Sequence, residues 1–357
     1  MSVFYLIRNA VLALTISVAA PFVLGADFIA PLDLPARQSV LASLSLMQGV
    51  VDVDGRLVAV GQRGHIIYSD DQGGTWKQAS VPVSSDLTAV YFVNAKAGWA
   101  VGQDGVIVHS QDGGASWVKQ LDGRQANDLV VNALQQQIEA GDQSSRTQAL
   151  LTEAIRNQEA GPDKPFLDVW FADENNGFVV GAYNLVFKTT DAGKHWVSWF
   201  DRTENPNLYH FNAIRGMGDR AYIVGEQGLF LRLDPARERF VAEPTPYRGS
   251  FFALAATTTG VTAFGMRGNV YRTADEGKSW NKVESGIESG LFGASVLDDG
   301  RLVAVSQAGQ ALISIDDGAS FTLIPGIRPL PFTAVTSAGK NKIAISSARG
   351  VQIEQVP

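Results

Sequence analysis

VGQRGHIIYSDDQGGTW, residues 60–76, is one copy of a repeated unit that decides the fold. The unit begins with an apolar residue and a Gly-x-x-Gly turn, continues with alternating apolar residues, and ends in the pattern Ser/Thr-x-Asp-x-Gly-x-x-Trp. A second copy, VGQDGVIVHSQDGGASW, occupies residues 101–117, which is 41 positions later. Further copies end in TTDAGKHW (189–196), TADEGKSW (273–280) and the looser SIDDGASF (314–321). Several short strands repeated about every 40–50 residues are typical of the blades of a β-propeller.

The Ser/Thr-x-Asp-x-Gly-x-x-Trp segment, called the Asp box here, predicts a turn that joins two antiparallel strands. An aspartate side chain in a turn accepts hydrogen bonds from backbone N–H groups, and glycine supplies a backbone conformation with positive φ. The closing tryptophan offers a large apolar surface that packs between neighbouring sheets. Because the box recurs from blade to blade, we expect its aspartates to serve folding rather than catalysis.

The glycine of each apolar-Gly motif sets the number of blades. Successive anchors are separated by 41, 79, 44, 40, 41 and 41 residues, so that the second spacing alone departs from one repeat. A spacing of 79 residues equals one repeat plus an insertion of about 38 residues. The sequence therefore predicts an all-β fold, a seven-bladed β-propeller, with its anchors at Gly61, Gly102, Gly181, Gly225, Gly265, Ser306 and Ser347.

The seventh blade lacks a fourth strand of its own in this pattern. The residues after Gly350 suffice for a third strand and no more. Residues 28–40 precede the first blade without a repeat of their own. We therefore expect this N-terminal segment to supply the outer strand that closes the last blade, since ring closure removes an open sheet edge.

The first residues have the layout of a secretory signal peptide. Arg8 precedes an apolar run from Ala10 to Leu24, and we expect cleavage near Ala26. The run is short for a membrane span, and an uncleaved anchor is the alternative. The sequence thus predicts a signal peptide at 1–25, a propeller at 26–357 and a periplasmic location.

The composition excludes several classes of function. The formal net charge is −7, which argues against a nucleic-acid partner. The chain has no cysteine, hence neither a disulfide framework nor a thiolate site. Its four histidines are scattered, and no phosphate-binding loop with Lys and Ser/Thr is present. We expect neither a metal nor a cofactor.

The insertion between blades two and three, at about 124–161, has a helical pattern. Asn127 is the expected cap of a first helix, and Ser144 or Ser145 is the expected cap of a second one. Two interpretations of the resulting helical hairpin stay open. Its apolar stripe packs on the propeller rim, or the hairpin is a partner-binding arm whose contact residues include Val131 and Leu134.

A second pattern lies in the Gly-x-x-Gly turns. Arg63, Arg267 and Arg349 occupy the same register in blades one, five and seven, so that all three are expected on the face of the ring that also carries the insertion. Such a group can bind carboxylates or an acidic partner loop, and ordinary solvated turn residues are the alternative. Other basic residues expected in connections on this face are Arg202, Arg248 and Arg328.

The Val-Gly-x-x-Gly turns and the Asp boxes resemble those of the exported Asp-box (BNR-repeat) propellers, a family similar to the photosystem II assembly and stability factor. The resemblance covers nearly the whole chain after the leader, and the helical insertion departs from the plain seven-bladed pattern. It implies a non-catalytic scaffold or assembly factor that binds a protein of a membrane or envelope complex, such as a transporter. We expect the protein to be a monomer by itself.

A glycan-binding or glycoside-hydrolase propeller is the alternative, because sialidases and some glucanases also carry Asp boxes. Hydrolysis by two carboxylates requires a pair of acids about 5–10 Å apart in a cleft. Asp86 and Asp168 are the acids at the start of inner strands, and Asp168 has no evident partner in the sequence. We therefore expect no catalytic residue.

Overall fold

Seven antiparallel sheets follow one another along residues 29–357, the part of the chain that this computed structural model describes. The strands of each sheet are hydrogen-bonded in chain order, so that every sheet is a meander. The first strands of successive sheets pack side by side and line a central channel. The predicted seven-bladed β-propeller is confirmed. The signal peptide expected at 1–25 lies outside the described residues.

Within each blade the strands are numbered from the channel outward. The first three blades comprise β1 (Met47–Val53), β2 (Arg56–Gly61), β3 (Ile66–Ser69) and β4 (Lys77–Gln78); β5 (Leu87–Phe92), β6 (Gly98–Gly102), β7 (Ile107–Ser110) and β8 (Val118–Leu121); β9 (Phe166–Phe171), β10 (Gly177–Gly181), β11 (Val186–Thr189) and β12 (Val197–Ser198). The last four comprise β13 (Phe211–Met217), β14 (Arg220–Gly225), β15 (Phe230–Asp234) and β16 (Arg239–Ala242); β17 (Phe251–Ala256), β18 (Val261–Gly265), β19 (Val270–Thr273) and β20 (Asn281–Val283); β21 (Leu291–Val296), β22 (Leu302–Ser306), β23 (Ala311–Ser314) and β24 (Thr322–Leu323); β25 (Phe332–Ser337), β26 (Lys342–Ser347) and β27 (Gly350–Gln355).

The hydrophobic core lies between neighbouring blades. Second strands such as β6 and β10 are buried at every residue, which is why they read as continuous apolar runs instead of alternating. Between blades two and three, Trp99 stacks on Phe171 with ring centroids 3.5 Å apart. The Asp-box residues Trp117 and Trp196 are 5% and 4% exposed and belong to these clusters, as the sequence predicts.

The Asp boxes form the expected turn between third and fourth strands. In blade one the Asp71 carboxylate accepts hydrogen bonds from the N–H of Thr75 at 2.8 Å, from the Thr75 hydroxyl at 2.7 Å and from the Ser69 hydroxyl at 2.8 Å. The Ser69 oxygen in turn accepts the N–H of Gly73 at 2.8 Å. The carboxylate is thus used inside its own turn, which fits a role in folding.

The meander order gives the ring two distinct faces. The turns between second and third strands and the connections between blades lie on one face, which we call the connection face. The turns between first and second strands and the Asp boxes lie on the other, the Asp-box face. The insertion follows β8 and starts at Gly123, next to the Gly105 turn, and therefore belongs to the connection face.

The N-terminal segment does not close the last blade, and this expectation is wrong for its described part, residues 29–40. The segment contains a 3-10 turn at Pro31–Asp33 and no strand, and it packs outside blade one: the N–H of Ala36 donates to Val81 at 3.0 Å, and Leu32 is buried between blades one and two. Prolines at 31 and 35 have no N–H to offer a ladder, which disfavours a strand here.

Ring closure depends instead on the inner strands of blades seven and one. The Thr333 hydroxyl of β25 donates to the Met47 carbonyl of β1 at 2.7 Å, and the N–H of Asp52 donates to the Thr336 hydroxyl at 3.2 Å. The sheet of blade seven has three strands within the described residues.

Two helices form the insertion, α1 (Gly123–Glu139) and α2 (Ser145–Ala160). Helix α1 begins earlier than expected, because Asp122 rather than Asn127 caps it in a capping box with Gln125. Ser144 caps α2, as expected. No helix among residues 29–357 combines the length and the apolar character that a bilayer crossing requires.

Candidate partner-binding face

In blades one to five, the turns between second and third strands have a common backbone on the connection face. Gly61 lies against the Leu46 carbonyl, where a Cβ would clash. Arg63 then adopts a left-handed conformation with φ 56°, and Gly64 follows with φ 69°. The corresponding residue has the same conformation in the next four blades, although in blade three Asn184 takes the place of the second glycine. This repeated turn explains the Gly-x-x-Gly motif and presents the residue between the glycines at the surface.

The structure places all three predicted arginines on the connection face. Arg63, Arg267 and Arg349 are exposed, and within residues 29–357 no carboxylate lies within 4.0 Å of their guanidinium groups. Arg202, by contrast, pairs with Glu238 at 3.2 Å and lies over the ring of Trp199. The three predicted arginines therefore keep their charge available to a ligand.

Arg63 and Arg349 flank one short segment of chain. The N–H of Gln62 donates to the Leu46 carbonyl at 3.2 Å, and the N–H of Gly350 donates to the Ser45 carbonyl at 2.9 Å, so that residues 45–46 join the two turns. Burial lowers the pKa of His65 in this region, which keeps its ring neutral. Arg267 lies on blade five and is separated from this pair by blade six.

Val131 and Leu134 are not surface residues, which corrects the expectation that they contact a partner. They are 5% and 1% exposed and belong to the core cluster of blades two and three, together with Leu121 and Phe200. A short helical hairpin with one apolar stripe buries that stripe against the propeller rim to which the hairpin is attached. The alternative interpretation, in which the stripe packs on the propeller rim, describes both residues.

A groove between α2 and the propeller was not predicted from the sequence. Its volume is about 320 Å³, and the exposed Arg146 stands at its wall above the apolar side chains of Leu150 and Leu208. The helical pattern of the insertion carries no information on where the hairpin docks. The groove therefore has no signal in the sequence.

The β-bulges that face the central channel were also not predicted from the sequence. Each inner strand has a register shift near its start, and the extra residue faces the channel, whose volume is about 300 Å³. Three of these residues donate a hydrogen bond to the next blade: Thr88 to Phe166 at 2.8 Å, Asn212 to Phe251 at 2.7 Å and Thr333 to Met47 at 2.7 Å. The bulge residues are Gln48, Thr88, Leu167, Asn212, Phe252, Phe292 and Thr333.

The two acids that the sequence singled out for catalysis have structural partners. Asp168 is buried, and its carboxylate accepts the N–H of Val169 at 3.0 Å, the N–H of Ile214 at 2.9 Å and the guanidinium of Arg215. Burial raises the pKa of Asp168, and the charge of Arg215 opposes that rise. Asp86 accepts the N–H of Arg63 at 2.7 Å. The carboxylate of Asp168 is therefore occupied by partners inside the protein, whereas that of Asp86 accepts one backbone N–H.

Metal binding finds no support in the part of the chain that the structure describes. Within residues 29–357 no three side chains of His, Asp or Glu converge as a metal site would require. The Asp boxes keep their carboxylates within their own turns.

Comparison with known proteins gives the chain a family. The model of the family described as "Photosynthesis system II assembly factor YCF48" matches residues 37–139 and 148–322. The photosystem II assembly lipoprotein Ycf48 of Prochlorococcus marinus is 29% identical over 160 residues, which cover 44% of this chain and 47% of that protein. The chloroplastic photosystem II stability/assembly factor HCF136 of Oryza sativa subsp. japonica is 25% identical over 189 residues, 45% of each chain. The matches thus span about half the length of these curated relatives.

Solved structures agree on the fold. The structure described as "YCF48 bound to D1 peptide" has a TM-score of 0.63 and 14% identity, and the match covers 91% of this chain and 99% of that one. YCF48 from Cyanidioschyzon merolae has a TM-score of 0.62 and 15% identity over 90% of this chain and 98% of that one. With most of its propeller matched by the family model, the chain belongs to the family of photosystem II assembly factors related to YCF48.

Proposed function

We propose that this chain is a non-catalytic exported assembly factor that binds a protein of a membrane complex through its connection face. One observation carries the proposal beyond the family: Arg63, Arg267 and Arg349 stand exposed on one face, with no carboxylate partner among residues 29–357. The relatives are named assembly factors, and one relative, YCF48, was solved with a D1 peptide. A peptide segment of a membrane protein is therefore the kind of ligand we assign to this face.

The chemistry of the face favours an acidic segment. An arginine guanidinium offers planar pairs of N–H donors that match a carboxylate. The whole chain has a net charge of −7, so that unpaired arginines concentrated on one face attract an acidic segment to that face in particular. The groove beside α2, at blade three of the same face, offers apolar contacts from Leu150 and Leu208, with Arg146 and Glu153 at its wall. Together these features suit an extended peptide rather than a small molecule.

A hydrolytic function receives less support. The channel acid Asp168 uses both carboxylate oxygens in hydrogen bonds and an ion pair, and a retaining or inverting glycosidase needs two carboxyl groups facing a substrate. We therefore do not assign catalysis to this chain.

Export is the part of the proposal that concerns the N-terminus. We propose that residues 1–25 are a signal peptide and that residues 26–357 form the propeller, with its hairpin at about 124–161, in the periplasm. Two supports are the basic residue Arg8 ahead of an apolar run and the naming of relatives as lipoproteins.

The test compares capture of membrane proteins by two charge variants. The first removes Arg63, Arg267 and Arg349 by substitution with Ala. The control removes three basic residues of the Asp-box face, Arg237, Lys278 and Lys340, and has the same net charge. We expect gently solubilised native membranes to yield a co-purifying membrane protein with the intact chain and with the control, and at least tenfold less (~1.4 kcal/mol) with the first variant. Equal capture by both variants would contradict the proposed face.

A further inference from the structure

Two phenylalanine rings face the central channel near the connection face. Phe252 of blade five and Phe292 of blade six are the bulge residues of their inner strands, and both line the channel. Their rings stack with centroids 4.2 Å apart and with planes 11° apart. Both residues are partly exposed, and within residues 29–357 neither belongs to the core clusters of blades five and six. The rings therefore lie outside the packing that holds these blades together.

The aromatic pair takes no part in the hydrogen bonds that other bulge residues make. Thr88, Asn212 and Thr333 each donate to the next blade from the same position, and a phenyl ring has no donor. Apolar area that stays in contact with water forgoes about 25 cal/mol per Å² of stabilisation. The channel has a volume of about 300 Å³, which is at the lower limit of pockets for small molecules. Its size suits one or two protein side chains.

Backbone hydrogen bonds place the aromatic pair next to two turns of the connection face. The N–H of Met266 donates to the Ser250 carbonyl at 3.1 Å, which joins the turn of Arg267 to the start of β17. The N–H of Gln307 donates to the Gly290 carbonyl at 3.2 Å, which joins the turn of blade six to the start of β21. The pair is formed by the second residues of these two strands. It therefore lies at the mouth of the channel on the connection face.

Arg267 and Arg349 stand on either side of blade six. Both are exposed, and within residues 29–357 no carboxylate lies within 4.0 Å of their guanidinium groups. The turn of blade six between them offers Gln307 and Ala308, which are exposed and uncharged. Because the turns lie on a ring, the straight path from blade five to blade seven passes closer to the channel than the turn of blade six does. An extended segment that pairs with both arginines therefore crosses the channel mouth beside Phe292.

We propose that an acidic segment of the membrane-protein partner places a large apolar side chain against Phe252 and Phe292 at the mouth of the channel. This inference rests on the proposed function and names the side chains that the partner offers. Carboxylates of the segment contact Arg267 and Arg349, and the apolar side chain between them is buried against the two rings. An apolar anchor in a pocket, surrounded by charged contacts at the rim, concentrates the affinity of an interface in a few residues.

Two matched double variants test the contact with the aromatic pair. Phe252→Gln/Phe292→Gln and Phe252→Leu/Phe292→Leu introduce side chains of similar size that differ in polarity. We expect the glutamine variant to capture the membrane protein from solubilised native membranes at least about tenfold less well than the intact chain, and the leucine variant to capture it nearly as well. Both should unfold at nearly the temperature of the intact chain, since neither ring belongs to a core cluster. If the double glutamine variant does not fold, Phe292→Gln and Phe292→Leu form the same comparison.

The outcomes separate this inference from the proposed function. Undiminished capture by the folded glutamine variant overturns the contact with the aromatic pair and leaves the proposed function standing. An equal loss of capture in both variants also overturns the contact, because the leucine side chains keep the apolar surface. Failure of the intact chain to capture any membrane protein overturns both the contact and the proposed function.

A single thiol tests whether the channel mouth is open in the free protein. The chain has no cysteine, so that Phe292→Cys introduces the only thiol. We expect it to react with a small maleimide at every protein concentration, at a rate within about tenfold of that of Ile315→Cys, a position 84% exposed. Slow labelling at every concentration would mean that the chain's own residues, 1–28 among them, cover the mouth. Labelling that slows as the concentration rises would mean that a second copy covers it, and either result overturns the proposal.

Discussion

The buried carboxylate of Asp168 in blade three pairs with the guanidinium of Arg215 in blade four, and the amide of Ile214 donates to the same carboxylate at 2.9 Å. This contact joins two inner strands where they meet at the channel. The side chain of Asp168 is 6% exposed and that of Arg215 is 34% exposed. The residue that the sequence suggested for catalysis is thus part of the seam between two blades.

Substitution of Arg215 and substitution of Asp168 should destabilise the ring to different extents. We expect Arg215→Met to lower the free energy of unfolding by about 3 kcal/mol, because it leaves a buried carboxylate without its cation. Asp168→Asn should cost less, since the partly exposed Arg215 can turn to water. Urea unfolding of both variants checks the order. A larger loss for Asp168→Asn would contradict this account of the seam.

The Asp boxes predict a specific loss of stability in acid. The N–H and hydroxyl of Thr75 hold the pKa of Asp71 at about 2, and the hydroxyl and N–H of Ser279 hold that of Asp275 at about 2. Because both values lie below that of an unfolded aspartate, about 4, their contribution to stability is complete above pH 4 and is lost as the pH falls towards 2. The thermal unfolding temperature, measured as the pH is lowered from 4 to 2, should fall less steeply in the double variant Asp71→Asn/Asp275→Asn than in the intact chain. Parallel curves would contradict the prediction.

The hydrogen bond from Thr333 to Met47 should stabilise the closure of the ring. Thr333→Val keeps the shape of the side chain and leaves the Met47 carbonyl without this donor. We expect the free energy of unfolding to fall by about 1–2 kcal/mol. Thr322→Val, on the exposed outer strand of blade six, is the matched control and should change it by less than about 0.5 kcal/mol. Equal effects would mean that the bulge residue does not stabilise the seam.

The burial of Leu134 distinguishes a structural role from a contact role. Leu134→Ala should lower the free energy of unfolding by about 2–4 kcal/mol, as expected when a buried leucine leaves a cavity. Val118→Ala, at a side chain that is 61% exposed, should change it by less than about 0.5 kcal/mol. Chemical unfolding measures both. A stable Leu134→Ala variant that loses its partner would restore the contact interpretation.

Most of the fold could be predicted from the repeat, because each Asp box and each Gly-x-x-Gly turn is formed by residues that are close together in the sequence. The turn around Asp71 forms within eight residues, and the positive φ of Arg63 depends on the glycines beside it. Spacing then gave the blade count without any knowledge of contacts between blades.

The predictions that were wrong or missing concerned features that depend on tertiary contacts. Residues 29–40 could have paired with blade seven as far as their length was concerned, but Leu32 finds a buried position between blades one and two. The sequence showed the apolar stripe that contains Val131 and Leu134, but it did not show the surface of blades two and three on which the stripe packs. The bulges at positions such as Thr88 have no sequence signal, since glycine does not mark them.

The measurement that tests the central claim most directly is site-specific photo-crosslinking in native membranes. A crosslinking residue at Met266, 42% exposed beside Arg267 on the connection face, is compared with one at Ile315, 84% exposed on the Asp-box face. We predict that position 266 forms an adduct with a membrane protein and that position 315 does not. An adduct from position 315 alone, or from neither position, would contradict the assignment of the connection face as the partner-binding surface.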